Sequence, residues 1–156
     1  MRVSAELAGN AEFPATKPAP FAGETVTDIG WEVWSPAMKS LVEDLYRRYD
    51  LPEMYVTENG ACYNMGIENG EVDDQPRLDY YAEHLSVCAD LIENGYPLRG
   101  YFAWSLMDNF EWAEGYRMHF GLVHVDYETQ KRTVKKSGKW YQALASAFPK
   151  GNHRPV

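Results

Sequence analysis

The chain has 156 residues, with 15 Lys and Arg against 23 Asp and Glu and a formal net charge of −8. A hydrophobic fraction of 45% is that of a chain that folds, and the length suits one domain rather than two. The acidic balance argues against a nucleic-acid backbone as partner and offers no polybasic patch to an anionic membrane. No apolar run approaches the ~18 residues that a membrane span requires. The opening Met1-Arg2-Val3-Ser4-Ala5-Glu6 lacks a signal-peptide core, which predicts a cytoplasmic protein. Two cysteines, Cys62 and Cys88, are too few for a disulfide framework and have no metal-motif spacing, so both read as structural thiols.

Residues 1–25 show no periodicity, and Pro14, Pro18 and Pro20 interrupt them, so they read as an irregular lead-in. The first helix begins at Ser35-Pro36, a capping residue followed by a proline suited to the first helical position. Met38, Leu41, Val42, Leu45, Tyr46 and Tyr49 then fall on one face, and Asp50-Leu51-Pro52 ends the helix. Met54-Tyr55-Val56-Thr57 is a short strand bounded by Pro52 and Asn59-Gly60. Residues 61–77 are polar and read as a loop whose acidic groups, Glu68, Glu71, Asp73 and Asp74, form a solvated surface. A second helix runs from about Asp79 to Asn94 and stops at Gly95, with Tyr81, Leu85, Cys88, Leu91 and Ile92 inward and His84 as a packing residue beside them.

Gly100-Tyr101-Phe102-Ala103-Trp104 is the second strand, and an aromatic-rich loop, Ser105 to Tyr116, follows it. Gly121 to Asp126 reads as extended. A last helix over Lys136 to Phe148 turns Trp140, Ala143, Leu144, Ala147 and Phe148 inward, and the residues from 150 to 156 form a polar tail. Strands that alternate with helix-length crossovers predict parallel βα units. Two parallel strands cannot cover both faces of their own sheet, so the chain reads as one slice of a larger α/β architecture.

Glu58 follows directly on the first strand. In an α/β barrel the C-terminal strand ends face the active site, which makes a carboxylate there a candidate nucleophile or base; the alternative is a glutamate that caps a turn. The second strand ends in Trp104-Ser105-Leu106-Met107-Asp108-Asn109-Phe110-Glu111-Trp112. An indole face can cover the C–H face of a pyranose, and a carboxylate can accept bonds from two hydroxyls, although two tryptophans at this place can equally be rim packing.

Thr57-Glu58-Asn59-Gly60 resembles the nucleophile motif of glycoside hydrolase family one, the β-glucosidase family. The run from Gly100 to Trp112 is similar to the sugar-binding motif of that family's eighth strand. Gly115-Tyr116, Phe120-Gly121-Leu122, Val125-Asp126-Tyr127, Arg132-Thr133, Lys135, Ser137 and Trp140-Tyr141 continue the pattern, and Asp79-Tyr80-Tyr81 with His84-Leu85 matches the helix between the strands. The resemblance covers residues 26–148. It implies that 1–156 is a single partial domain, the C-terminal portion of a (β/α)₈ barrel with strands seven and eight and their helices. It implies retaining hydrolysis of β-glucosides, with Glu58 as nucleophile, Trp104 stacked under the sugar, Glu111 accepting from O4 and O6, Trp112 donating its indole N–H, and Phe120 lining the pocket near O6. No metal or organic cofactor is implied.

The chain also departs from the family's pattern. It contains no Asn-Glu-Pro, the motif that carries the acid/base. The His-Trp pair, the Gln, and the Tyr and Arg beside the nucleophile are missing as well, which assigns them to an N-terminal barrel portion. His119 stands where the family usually has Arg, and Val134 where it usually has Pro. The implied partners are therefore a β-glucoside or oligosaccharide and that missing portion, with a homo-oligomer as the other way to cover exposed faces. An inactive fragment or sugar-binding remnant is the alternative function. A 6-phospho-glycosidase is disfavoured, because the Glu111 carboxylate would repel a phosphate.

Overall fold

The computed structural model describes residues 25–147, together with the backbone of the strands at 3–6 and 15–18. The lead-in departs from the sequence expectation: β1 (Val3–Glu6) pairs antiparallel with β2 (Ala15–Pro18). Each strand is only four residues long, too short for a periodic pattern to register. The polar tail at 150–156 and Phe148 lie outside the described residues.

From Pro36 the chain alternates as expected: α1 (Pro36–Arg48), β3 (Met54–Asn59), α2 (Gln75–Glu93) and β4 (Leu98–Ala103). The hairpin β5 (Val123–Val125) and β6 (Arg132–Val134) and then α3 (Lys136–Ala147) follow. β3 and β4 are parallel, with Met54 opposite Leu98 and Asn59 opposite Ala103, and α2 is their crossover. Both strands therefore end at the same edge. A parallel strand pair with a helical crossover is the repeating unit of the expected (β/α)₈ barrel.

Helix ends differ from the reading in two places. Ser35 is itself helical and its side chain makes no capping bond, so Pro36 alone sets the start of α1. The second helix begins at Gln75, four residues earlier than expected, with Pro76 in its first turn. Its end is as expected: Gly95 has φ +88°, its N–H donates to the Ile92 carbonyl, and the Tyr96 N–H donates to the Leu91 carbonyl. That pair of bonds satisfies two of the helix's last carbonyls and needs the left-handed backbone that glycine adopts freely.

The core lies under α2. Tyr81, His84, Cys88 and Leu91 are buried there with Leu98 of β4, and Val42 is the buried residue of α1. His84 is a packing residue, as expected: its Nδ1 lies 2.8 Å from the Tyr80 carbonyl and its ring stacks on that of Tyr80. Several residues expected inward are exposed instead: Leu41, Tyr49 and Ile92, and on α3 Ala143 and Ala147, while Ser137 and Gly138 are the buried residues of that helix. A third of a barrel cannot cover every apolar helix face. Among the described residues, no helix is long and apolar enough to cross a membrane.

Candidate active site

Glu58 lies within β3, next to its last residue, rather than just after the strand, and its side chain is exposed. Asn59 locks the strand end. Its Nδ2 donates to the Tyr80 hydroxyl at 3.0 Å, and its Oδ1 accepts from the Tyr101 hydroxyl at 2.5 Å. The Trp104 N–H donates to the Asn59 carbonyl at 2.8 Å, and the Trp104 carbonyl accepts from Tyr81 at 3.0 Å. Gly60 passes so close to Trp104 that a Cβ would sit 1.7 Å from its carbonyl oxygen. The two strand ends that carry Glu58 and Trp104 are thus held together by backbone. Burial among one another pushes the Tyr81 and Tyr101 hydroxyls far up, so both remain neutral donors.

The loop after Trp104 folds back on residues 119–123. Ser105 donates its N–H to the Phe120 carbonyl and accepts from the Leu122 N–H, and the Asp108 N–H donates to the Val123 carbonyl. Glu111 is half-buried, its N–H bonded to the Gly115 carbonyl at 2.7 Å. Trp112 heads a 3₁₀ turn, Trp112–Glu114, with φ +41°, and is 82% exposed. A bulky side chain in the left-handed region costs about 1–2 kcal/mol, and such strain is kept where the geometry has a use. Phe120 is buried, with its ring 5.9 Å from Trp31. Trp31 sits on a turn closed by Thr27, and its sequence surroundings carried no motif to single it out. A cleft of about 520 Å³ opens beside the loop, lined by Trp104, Leu106, Phe110, Tyr116 and Tyr127 among others, with neither Glu58 nor Glu111 on its wall.

Two buried ion pairs support these loops, and sequence reasoning missed both. Asp74 was expected in a solvated surface; it is fully buried. Its carboxylate accepts from the Ser137 N–H and hydroxyl, at 2.8 and 2.5 Å, and pairs with Arg77. Arg77, also fully buried, donates Nε to the Ala61 carbonyl and Nη2 to the carbonyls of Tyr63 and His119. One guanidinium thereby joins the segment after Glu58 to the segment before Phe120. In the second pair Lys135 donates to Asp108 at 2.8 Å, and burial pulls the lysine down to about 8. Burial also holds His119 below the usual histidine value. Cys62 and Cys88 are buried free thiols, both pushed up by burial and Cys88 to about 11, which leaves them inert. Although the resemblance implied no metal, Asp108, His119 and His124 bring metal-ligating atoms together.

Parallel strands joined by a helix, with a carboxylate and a tryptophan at their shared C-terminal edge, have the arrangement of one part of a (β/α)₈ barrel. The chain belongs to glycosyl hydrolase family 1, whose profile matches residues 7–149. It is 74% identical over 153 residues to the β-glucosidase of Agrobacterium sp., covering 98% of this chain and 33% of that protein. It is 49% identical over 116 residues to β-glucosidase A of Thermotoga maritima, covering 74% of this chain and 26% of that protein. Among solved structures, virulence factor SghA of Agrobacterium tumefaciens superposes with a TM-score of 0.89 at 75% identity, over 96% of this chain and 33% of that one. The chain spans about a third of the length of these Agrobacterium relatives.

Proposed function

We propose that the protein to which this chain contributes is a retaining β-glycosidase for unphosphorylated β-glucosides, with Glu58 as nucleophile and the acid/base supplied from outside this chain. The observation that carries this reading is the exposed Glu58 carboxylate at the C-terminal end of β3, held by backbone against Trp104 at the end of the parallel neighbour. Glu58 attacks the anomeric carbon while the acid/base protonates the departing glycosidic oxygen. Water then attacks the glycosyl ester, gives its proton to the acid/base, and releases Glu58 as a carboxylate. Trp104 supplies the floor for the sugar ring, Glu111 accepts from its hydroxyls, Trp112 donates from the exposed turn, and Phe120 contributes to the wall.

The solved A. tumefaciens relative is described with salicin as a substrate analogue, so salicin is the substrate to assay first. A 6-phospho-β-galactosidase of Streptococcus equi subsp. zooepidemicus, 43% identical over 121 residues, makes the phosphorylated sugar the necessary comparison. The experiment is a chimera in which this chain replaces the matching third of the Agrobacterium β-glucosidase. A mechanism-based fluoro-glucoside should inactivate the chimera and leave its adduct on Glu58. An adduct on Glu53, Glu111 or Glu114, or turnover of the 6-phosphate in preference to the free sugar, would overturn the reading.

A further inference from the structure

Three donor atoms converge behind the loop that carries Glu111, and none of them has a hydrogen-bond partner. The Asp108 side chain is wholly buried. Its Oδ1 accepts from Lys135 Nζ and from the Gly121 N–H, both at 2.8 Å, but its Oδ2 accepts from nothing. His124 Nδ1 lies 3.3 Å from that oxygen and His119 Nδ1 lies 3.8 Å from it; both nitrogens are buried and unbonded. Asp108, His119 and His124 each bring one ligand atom within 4.8 Å of the others'. Buried polar atoms are nearly always satisfied, so three clustered and unbonded ones call for an explanation, and a bound ion supplies one.

The chemistry of the three selects the occupant. Two imidazoles and one carboxylate are the donor set of a borderline transition metal, whereas magnesium and calcium take oxygen ligands. Zinc bonds of about 2.0–2.2 Å in tetrahedral geometry set neighbouring ligands roughly 3.3–3.5 Å apart. The Asp108–His124 separation already has that value, and His119 needs to close by about 0.4 Å. The donors are anchored on three points of backbone. His124 belongs to β5 opposite Thr133, the Asp108 N–H is bonded to the Val123 carbonyl, and the His119 N–H is bonded to Asn64 Oδ1 at 2.9 Å. Both imidazoles are slightly exposed, so water can reach a fourth position. Lys135 holds Oδ1 and leaves Oδ2 as a single-oxygen ligand. Its charge opposes the ion and sets the affinity below that of a thiolate site.

We propose that Asp108 Oδ2, His119 Nδ1 and His124 Nδ1 bind a divalent transition-metal ion, zinc in the first place, with water as fourth ligand. The ion would tie the loop carrying Glu111 and Trp112 to the β5–β6 hairpin. It is a structural site and takes no part in sugar chemistry.

The test is titration of the metal-stripped chimera, in which this chain replaces the matching third of the Agrobacterium β-glucosidase, with Zn²⁺ by calorimetry and with Co²⁺ by visible absorption. One equivalent should bind, with the absorption of tetrahedral cobalt, and zinc should raise the melting temperature. His119→Gln and His124→Gln should each weaken binding by at least the ~10–100-fold that loss of a second-shell partner costs. His84→Gln and His153→Gln should leave it unchanged. A folded chimera that binds no zinc, as it would if a water joined the three atoms, overturns the proposal. Binding that survives both His119→Gln and His124→Gln overturns it equally.

Discussion

Arg77 donates from Nη2 to the backbone carbonyl of His119 at 2.7 Å, across 42 residues of chain. The same nitrogen serves the Tyr63 carbonyl, and Nη1 pairs with Asp74. Both charged side chains are fully buried. Removing one partner strands the other charge and three carbonyls, at a cost of about 3–5 kcal/mol. Arg77→Met in the chimera should lower its unfolding free energy by that amount in urea. Arg77→Lys should recover little, because an ammonium cannot reach carbonyls on several sides as a planar fork does. A loss below about 1 kcal/mol would mean that the carbonyls find other donors.

Glu58 and Glu111 should fail in different ways. Glu58→Ala in the chimera should abolish nearly all turnover of an aryl β-glucoside while sugar binding persists, because the proposed role of this carboxylate is to form the covalent bond. Glu111→Ala should lower kcat/KM by the equivalent of about 1.5–3 kcal/mol, the worth of a charge-assisted hydrogen bond. Equal residual activity in the two variants would contradict the roles proposed for them.

Burial lowers His84 below the 6.5 of a free imidazole. Below pH 6.5 the unfolded chain therefore binds a proton that the folded chain refuses, and stability falls as the pH drops through that value and below it. Above 6.5 both states are neutral and this contribution is constant. His119 is lowered as well and acts in the same direction. Urea midpoints of the chimera from pH 8 to pH 5 should decline at the acid end. His84→Gln should flatten that decline, and an unchanged slope would sink the assignment.

The isolated chain should associate and should not hydrolyse glucosides. Leu41, Tyr55, Ile92 and Phe102 are each more than half exposed, and among the described residues β3 and β4 each pair on one side only. Unpaired edges beside apolar patches are association surfaces. An acid/base carboxylate contributes roughly 10²–10⁴-fold to rate, and the chain lacks the motif that carries it. A monomer in sizing with a cooperative melt would refute the first expectation. Sustained turnover abolished by Glu58→Gln would refute the second.

Helical spacing on α1 and α2, the β-rich runs at 54–57 and 100–104, and the Glu58 motif were all legible in the sequence, because each is written in neighbouring residues. Asp74 and Arg77 were not. Charged side chains normally lie at the surface, and the partners that bury these two stand up to 63 residues away. The earlier start of α2 did have a signal, Pro76 two residues after an aspartate, which the polar composition of residues 61–77 masked. β6 is three residues long, below the length at which alternation can be read. Ala143 and Ala147 were placed inward on spacing alone. Spacing identifies an apolar face without stating which segment covers it.

The contact between Gly60 and the Trp104 carbonyl sets a limit on redesign. No side chain of any size can enter there, so the spacing of the two strand tips cannot be tuned by mutation at position 60. Changes to the pocket wall on this chain are to be made at side chains of residues 105–120, which leave the backbone contact between β3 and β4 untouched. A library that randomises position 60 alongside that loop would lose nearly every member that does not keep glycine.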